Sequence, residues 1–94
     1  MMDLLEAEEL DAALKRLPEW ELDGKTIVRT IEFEDFMEAI DFINDLADIA
    51  EEAQHHPDIL IRYAKVTLTL TTHDVGGLTE SDLELAKRVN NRVD

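Results

Sequence analysis

The three histidines of this 94-residue chain occupy two short segments, "QHHPD" and "TTHDV", which contain His55, His56 and His73. Imidazole is the side chain best suited to exchanging protons near neutral pH, so these residues indicate general acid-base chemistry. The sequence contains no cysteine, which excludes a thiolate nucleophile, a disulfide bond and a sulfur-ligated metal.

Metal binding is the alternative chemistry for three histidines. Because His56 precedes Pro57, its backbone should be extended, and consecutive side chains of an extended segment point to opposite sides. Zinc ligands usually converge from spacings such as i, i+2 or i, i+4, so we expect no metal site here. We expect His55 to face a cleft whose other wall carries His73, and His56 to line the floor or anchor the loop.

Periodic patterns predict the elements that must position these residues. Apolar residues at helical spacing predict a first helix that is closed by Pro18. Two apolar strands flank Asp23–Gly24, a strong hairpin signal. A second helix is predicted over residues 36–53, with two adjacent apolar seams and an acidic stripe on the opposite side. The first seam contains Phe36, Ile40, Ile43, Ala47 and Ala50, and the second contains Phe42, Leu46, Ile49 and Ala53.

The second half of the chain predicts a second hairpin and a third helix. "ILIRY" and the alternating "KVTLTLTT" are typical of antiparallel strands. Thr79 and Asp82 form a capping box that starts the last helix. The order α-β-β-α-β-β-α predicts an α+β fold, a four-stranded antiparallel sheet with three helices packed on one face, in a single domain spanning residues 1–94. Exposed sheet edges need cover, so we expect a homodimer or homotetramer.

The formal net charge of −14, from 23 acidic and 9 basic residues, disfavours direct binding to nucleic acids and to anionic membranes. We interpret this charge as a solvated acidic surface; adaptation to high salt would produce the same pattern. No stretch is apolar for the ~20 residues that a membrane span needs, and the first residues are acidic, unlike a signal peptide. These features predict a cytoplasmic protein.

The spacing of the histidines resembles that of the pterin-4a-carbinolamine dehydratases. The family pattern is a charged residue, three residues, His-His-Pro, an aromatic residue, a histidine and a downstream aspartate. The matching positions are Glu51, His55, His56, Pro57, Tyr63, His73 and Asp82. The resemblance extends through "THDVGGLTESDLELA", "PEWEL" and "FEDFMEAIDFI", and so covers nearly the whole chain.

The resemblance implies a dehydratase that converts 4a-hydroxytetrahydropterin to quinonoid dihydropterin and water, without a cofactor. It implies that His55, His56 and His73 form the catalytic set, with His55 and His73 as the proton-transfer pair. It also implies that the small-molecule pterin is bound by all three histidines together with Pro57, Thr71, Thr72 and Asp74. Gln54 and Ile59 replace the Asp and the aromatic residue that many members carry, so we expect them to alter substrate affinity rather than the reaction.

Structural roles remain open for three positions of the pattern. Tyr63 is expected to pack in the core, Asp82 to serve as the helix cap, and Glu51 to continue the acidic stripe of the second helix. The resemblance also leaves open two other functions: a non-catalytic binding or dimerisation-cofactor protein, and a role in molybdopterin metabolism. The intact histidine set favours the enzyme, because a scaffold has no need of it.

Overall fold

The computed structural model describes residues 3–94; Met1 and Met2, the first positions of the predicted domain 1–94, lie outside the described residues. The elements follow the predicted order α-β-β-α-β-β-α. They are α1 (Ala7–Lys15), β1 (Glu21–Asp23), β2 (Thr26–Glu32), α2 (Phe36–Ala53), β3 (Asp58–Arg62), β4 (Lys65–Leu70), a short 3-10 helix (His73–Val75) and α3 (Glu80–Val93).

The four strands form one antiparallel sheet in the order β1-β2-β4-β3. One face of the two central strands is buried, and it carries Ile27, Arg29, Ile31, Val66, Leu68 and Leu70. The intervening residues, such as Thr30 and Thr67, lie on the opposite face, where their hydroxyls are 3.0 Å apart. This alternation matches the sequence pattern, and the predicted fold class is confirmed.

The two hairpins have two-residue loops. In the first, Asp23 still pairs with Thr26, so the loop consists of Gly24 and Lys25 rather than Asp23 and Gly24. Gly24 has a left-handed backbone (φ 61°), which glycine adopts without steric cost. In the second, Tyr63 lies in the loop and is 72% exposed. The prediction that Tyr63 packs in the core is therefore wrong, because the Arg62–Lys65 pair closes the hairpin before this residue.

Helix α2 begins at Asp35, whose carboxylate accepts a hydrogen bond from the Glu38 amide at 2.8 Å. Its buried side comprises Ala39, Phe42, Leu46 and Ala50, which pack in the core. Phe36, a member of the first predicted seam, is exposed, so part of the predicted apolar arc lies on the surface of the single chain; the neighbouring Met37 is exposed as well. Two acids of α2 pair with arginines of α3, Asp45 with Arg92 and Glu52 with Arg88, at 2.6 and 2.9 Å.

The end of α2 determines where the first two histidines lie. Gln54 adopts a left-handed conformation (φ 53°, ψ 39°), and its amide donates to the carbonyls of Ala50 and Glu51. The His55 amide donates to the Ala50 carbonyl at 3.1 Å. This pattern is the Schellman termination, which ends the helix and redirects the chain. Within residues 3–94, no helix has the length and apolar character to cross a membrane.

Candidate active site

Two segments form a cleft of about 190 Å³ on the surface. One is the connection between α2 and β3, and the other follows β4. The residues that line the cleft are Gln54, His55, His56, Thr71, Thr72, His73 and Asp74. All three histidines and all the predicted substrate-binding residues except Pro57 thus border one space. Pro57 directly follows His56 in the chain and is half-buried, but it does not line the cleft.

His55 lines this cleft with a side chain that is only 14% exposed. Its Nε2 atom is 2.5 Å from Oδ1 of Asp82, which is fully buried. Because a carboxylate has only acceptor atoms, Nε2 carries a hydrogen atom and donates a hydrogen bond to Asp82. The tautomer and orientation of this imidazole are therefore set by a residue 27 positions away in the sequence.

Asp82 has a second set of contacts through its other oxygen. Oδ2 accepts the amide of Thr79 at 2.9 Å and the hydroxyl of Thr72 at 2.8 Å. The predicted capping box of Thr79 and Asp82 is confirmed. The same carboxylate that caps α3 also holds His55, a function that the sequence pattern of the cap does not reveal. No buried side-chain polar atom in residues 3–94 lacks a partner.

His56 has a different environment from its neighbour. Its side chain is 62% exposed, and its Nε2 atom is 2.5 Å from Oε2 of Glu51, which is 76% exposed. Glu51 lies in the last turn of α2, so this contact is local. The two neighbouring imidazoles have carboxylate partners on different elements, as the extended backbone before Pro57 predicts. Glu51 does more than continue the acidic stripe.

His73 is the first residue of the 3-10 helix and is exposed at the cleft. Its loop is closed at the base by Thr72, whose amide donates to the Gly77 carbonyl at 2.9 Å and whose carbonyl accepts the Gly76 amide at 3.0 Å. Gly77 packs closely against Leu4, so that a Cβ atom at Gly77 would lie only 2.8 Å from Cδ2 of Leu4. These contacts hold the loop that presents His73.

The cleft combines proton-exchanging groups with hydrogen-bonding walls. Among residues 3–94, no group of three His, Asp or Glu side chains is arranged to hold a metal ion. Thr71 donates its hydroxyl to the Lys25 carbonyl at 2.8 Å, and so ties the cleft wall to the first hairpin. The arrangement can place imidazoles from two loops beside a small ligand. The buried hydroxyl of Thr79, which is 2.8 Å from that of Thr72, was not among the predicted site residues.

The chain is similar to known proteins over nearly its whole length. Residues 3–92 match the family model described as "Pterin 4 alpha carbinolamine dehydratase". A protein of Cyanothece sp., provisionally named a pterin-4-alpha-carbinolamine dehydratase, is 49% identical over 90 residues, which cover 96% of this chain and 93% of that protein. The chain therefore belongs to the pterin 4 alpha carbinolamine dehydratase family.

Two solved structures are similar to this fold. A transcriptional coactivator/pterin dehydratase from Brucella melitensis has a TM-score of 0.93 and 35% identity, and the match covers 98% of this chain and 100% of that one. A pterin dehydratase-like protein, identified as a RuBisCO assembly factor in the alpha-carboxysome, has a TM-score of 0.67 and 26% identity. That match covers 78% of this chain and 87% of the other.

Proposed function

We propose that this protein dehydrates a 4a-hydroxytetrahydropterin to the quinonoid dihydropterin and water by histidine general acid-base catalysis. The observation that carries the proposal is that His55, His56 and His73 border one cleft in a member of this family. A cleft of about 190 Å³ is small and open, which suits a flat bicyclic ring whose substituent remains in solvent.

The reaction requires two proton transfers and no change of oxidation state. A general acid protonates the 4a-oxygen, the C4a–O bond breaks and water leaves. The electron pair of N5 forms the C4a=N5 double bond, and a base takes the N5 proton. We assign this pair of transfers to His55 and His73, which reach the cleft from different loops. No cofactor or metal is needed.

Asp82 suits His55 to this task. Because Nε2 of His55 donates to Asp82, proton exchange with the substrate is assigned to Nδ1. When Nδ1 takes a proton, the buried carboxylate at 2.5 Å stabilises the resulting imidazolium, as the aspartate does in a Ser-His-Asp triad. His73 then exchanges the second proton from the opposite segment.

The remaining site residues shape the cleft and hold the ring. His56 and Pro57 form the loop beside it. The hydroxyls of Thr71 and Thr72 are engaged with Lys25 and Asp82, so these residues contribute wall and backbone, while the exposed Asp74 offers a carboxylate to the donor groups of a pterin. Gln54 lines the same cleft, so its replacement of Asp acts on affinity.

The first prediction tests the chemistry with purified protein and a 4a-hydroxytetrahydropterin generated in a stopped-flow instrument. The wild type should accelerate the decay of this intermediate, and His55→Ala and His73→Ala should each lower the rate by roughly 10²-fold or more. Glu84→Gln, on the exposed side of α3, is the control and should leave the rate unchanged. No acceleration by the wild type would refute the proposal, and loss of activity on adding EDTA, with recovery on adding zinc, would refute its metal-free chemistry.

The second prediction concerns assembly as a homodimer or homotetramer. Phe36 and Met37 on α2 and Leu60 on the edge strand β3 are exposed apolar side chains, and such surfaces are usually covered in an assembly. Light scattering should give two or four times the monomer mass, and added salt should strengthen the oligomer because it screens a charge of −14 per chain. A monomer at micromolar concentration would contradict this prediction.

The alternative is a non-catalytic binding or dimerisation-cofactor protein, or a pterin-related role in molybdopterin metabolism. The alpha-carboxysome neighbour is named an assembly factor, which favours keeping a binding role as the second candidate. The buried Asp82–His55 contact favours the enzyme, because a scaffold gains nothing from an oriented imidazole. His55→Ala with His73→Ala in one chain discriminates the two: the double variant should fail to replace the wild type in cells if catalysis is the role, and succeed if binding is. The predicted cytoplasmic location, and the lack of direct nucleic-acid or membrane binding, stay predictions from the sequence.

A further inference from the structure

Thr72 occupies the point where the strand β4 passes into the loop of His73. Its backbone closes that loop, because its amide donates a hydrogen bond to the Gly77 carbonyl and its carbonyl accepts one from the Gly76 amide. Its side chain points away from that loop: it is buried against the side chains of Thr79 and Asp82. The Oγ1 atom of Thr72 is 2.8 Å from both Asp82 Oδ2 and Thr79 Oγ1.

The direction of these hydrogen bonds follows from the chemistry of the groups. The carboxylate of Asp82 can only accept, so the single hydroxyl proton of Thr72 is donated to it. Thr72 then has only lone pairs left for Thr79, so Thr79 donates to Thr72. The chain therefore runs in one direction, from Thr79 through Thr72 to Asp82, with no alternative arrangement of protons.

Asp82 connects this chain to the other loop of the cleft, because its second oxygen holds His55 Nε2 at 2.5 Å. Without the Thr72 hydroxyl, Oδ2 would keep only the Thr79 amide at 2.9 Å, and the Thr79 hydroxyl would lose its acceptor. Hydrogen bonds to a charged group in a buried site are strong, so the loss of one should allow the carboxylate to rotate.

We propose that Thr72 is a positioning residue that acts through Asp82, and that its hydroxyl fixes the orientation of His55 while its backbone holds the loop of His73. One threonine thereby couples the two loops that carry the proton-transfer pair. The catalytic consequence rests on the proposed dehydratase function, whereas the effect on the His55 imidazole does not. The role assigned to the hydroxyl differs from contact with the pterin.

The test compares Thr72→Val, which replaces the hydroxyl by a methyl group, with Thr72→Ser, which retains it. Thr67→Val is the matched control, because the Thr67 hydroxyl also pairs with a threonine, Thr30, but on the opposite face of the sheet. Thr72→Val should lower kcat about tenfold, the scale of one hydrogen bond to a charged group, with KM within about twofold of wild type. Thr72→Ser should restore most of the rate, and Thr67→Val should behave as wild type.

A double-mutant cycle tests whether the effect passes through Asp82. In an Asp82→Asn background, Thr72→Val should cause little further loss of kcat. Additive losses, or a rise in KM with kcat unchanged, would overturn the proposal and place the hydroxyl against the substrate. If Thr72→Val does not fold, Thr72→Ala removes the same hydroxyl without a methyl group facing Asp82.

Nitrogen-15 NMR gives a readout that does not depend on activity. The Nε2 proton of His55, assigned by its disappearance in His55→Ala, should exchange slowly with water in the wild type and in Thr72→Ser. It should exchange faster and shift in Thr72→Val. An unchanged signal in Thr72→Val refutes the positioning role whatever the activity. A changed signal in a protein that does not dehydrate pterins refutes the proposed function alone.

Discussion

His55 and His56 are adjacent in the chain, and each has Nε2 2.5 Å from a carboxylate oxygen, yet the two contacts differ in every other respect. The side chains of His55 and Asp82 are 14% and 0% exposed, whereas those of His56 and Glu51 are 62% and 76% exposed. Water and salt screen the second pair but hardly reach the first. Equal distances therefore do not mean equal energies: burial decides which contact can orient a catalytic group.

The left-handed turn at Gln54 creates this difference. It ends α2 at Ala53, two residues before His55, so His55 is directed to the start of α3 while His56 remains beside the last turn of α2. A non-glycine residue in this conformation is less favourable than glycine, so neighbouring contacts must hold it there.

The largest expected effect comes from breaking the buried pair. Asp82→Ala removes the cap of α3 and leaves His55, Thr72 and Thr79 without their shared acceptor, and we expect the free energy of unfolding to fall by about 3–5 kcal/mol. Urea denaturation measures the change. Glu84→Ala is the control, because Glu84 is an exposed acid on the same helix whose contact with Lys87 is 3.5 Å long; it should cost less than about 0.5 kcal/mol. Similar losses in the two variants would contradict the comparison.

The next effect distinguishes the two histidines kinetically. His56→Ala should raise KM more than it lowers kcat, because an exposed imidazole held by a surface carboxylate contributes to binding rather than to an oriented proton transfer. His55→Ala should lower kcat more than it raises KM. Steady-state kinetics on both variants provide the measurement, and the reverse pattern would assign the proton transfer to His56.

The smallest effect is expected from breaking the exposed pair. Glu51→Gln should change the free energy of unfolding by no more than about 0.5 kcal/mol, because both partners are largely in solvent. The difference between this variant and wild type should shrink further in high salt. Thermal unfolding at two salt concentrations checks this. A loss comparable to that of Asp82→Ala would show that exposure does not separate the two pairs.

The local elements could be predicted from the sequence because they depend on neighbouring residues. The period of the apolar residues defined α2 at residues 36–53, which are its observed bounds, and the alternation after Lys65 defined β4. The cap of α3 followed from Thr79 and Asp82, three positions apart. The sequence also singled out the three histidines that line the candidate site, because imidazoles are scarce in this chain and two occur together.

Other features depend on contacts that no local pattern contains. Tyr63 belongs to the predicted strand "ILIRY", but the pairing of Arg62 with Lys65 ends that strand one residue earlier and places Tyr63 in the loop. The two predicted seams likewise did not separate the buried side of α2 from its exposed side, because Phe42 and Leu46 belong to one seam and the equally buried Ala50 to the other.

The sequence by itself determined which chemistry is available: three histidines, no cysteine, and helices and strands with the periods that bring those histidines to the ends of α2 and β4. Only the tertiary structure decided how that chemistry is arranged. The start of α3 packs beside the end of α2 and places Asp82 against His55 across 27 positions, and against Thr72 across 10. The physical reason is that a buried carboxylate needs hydrogen-bond donors in place of water, and the three donors to Asp82 converge only after the helices have packed on the sheet.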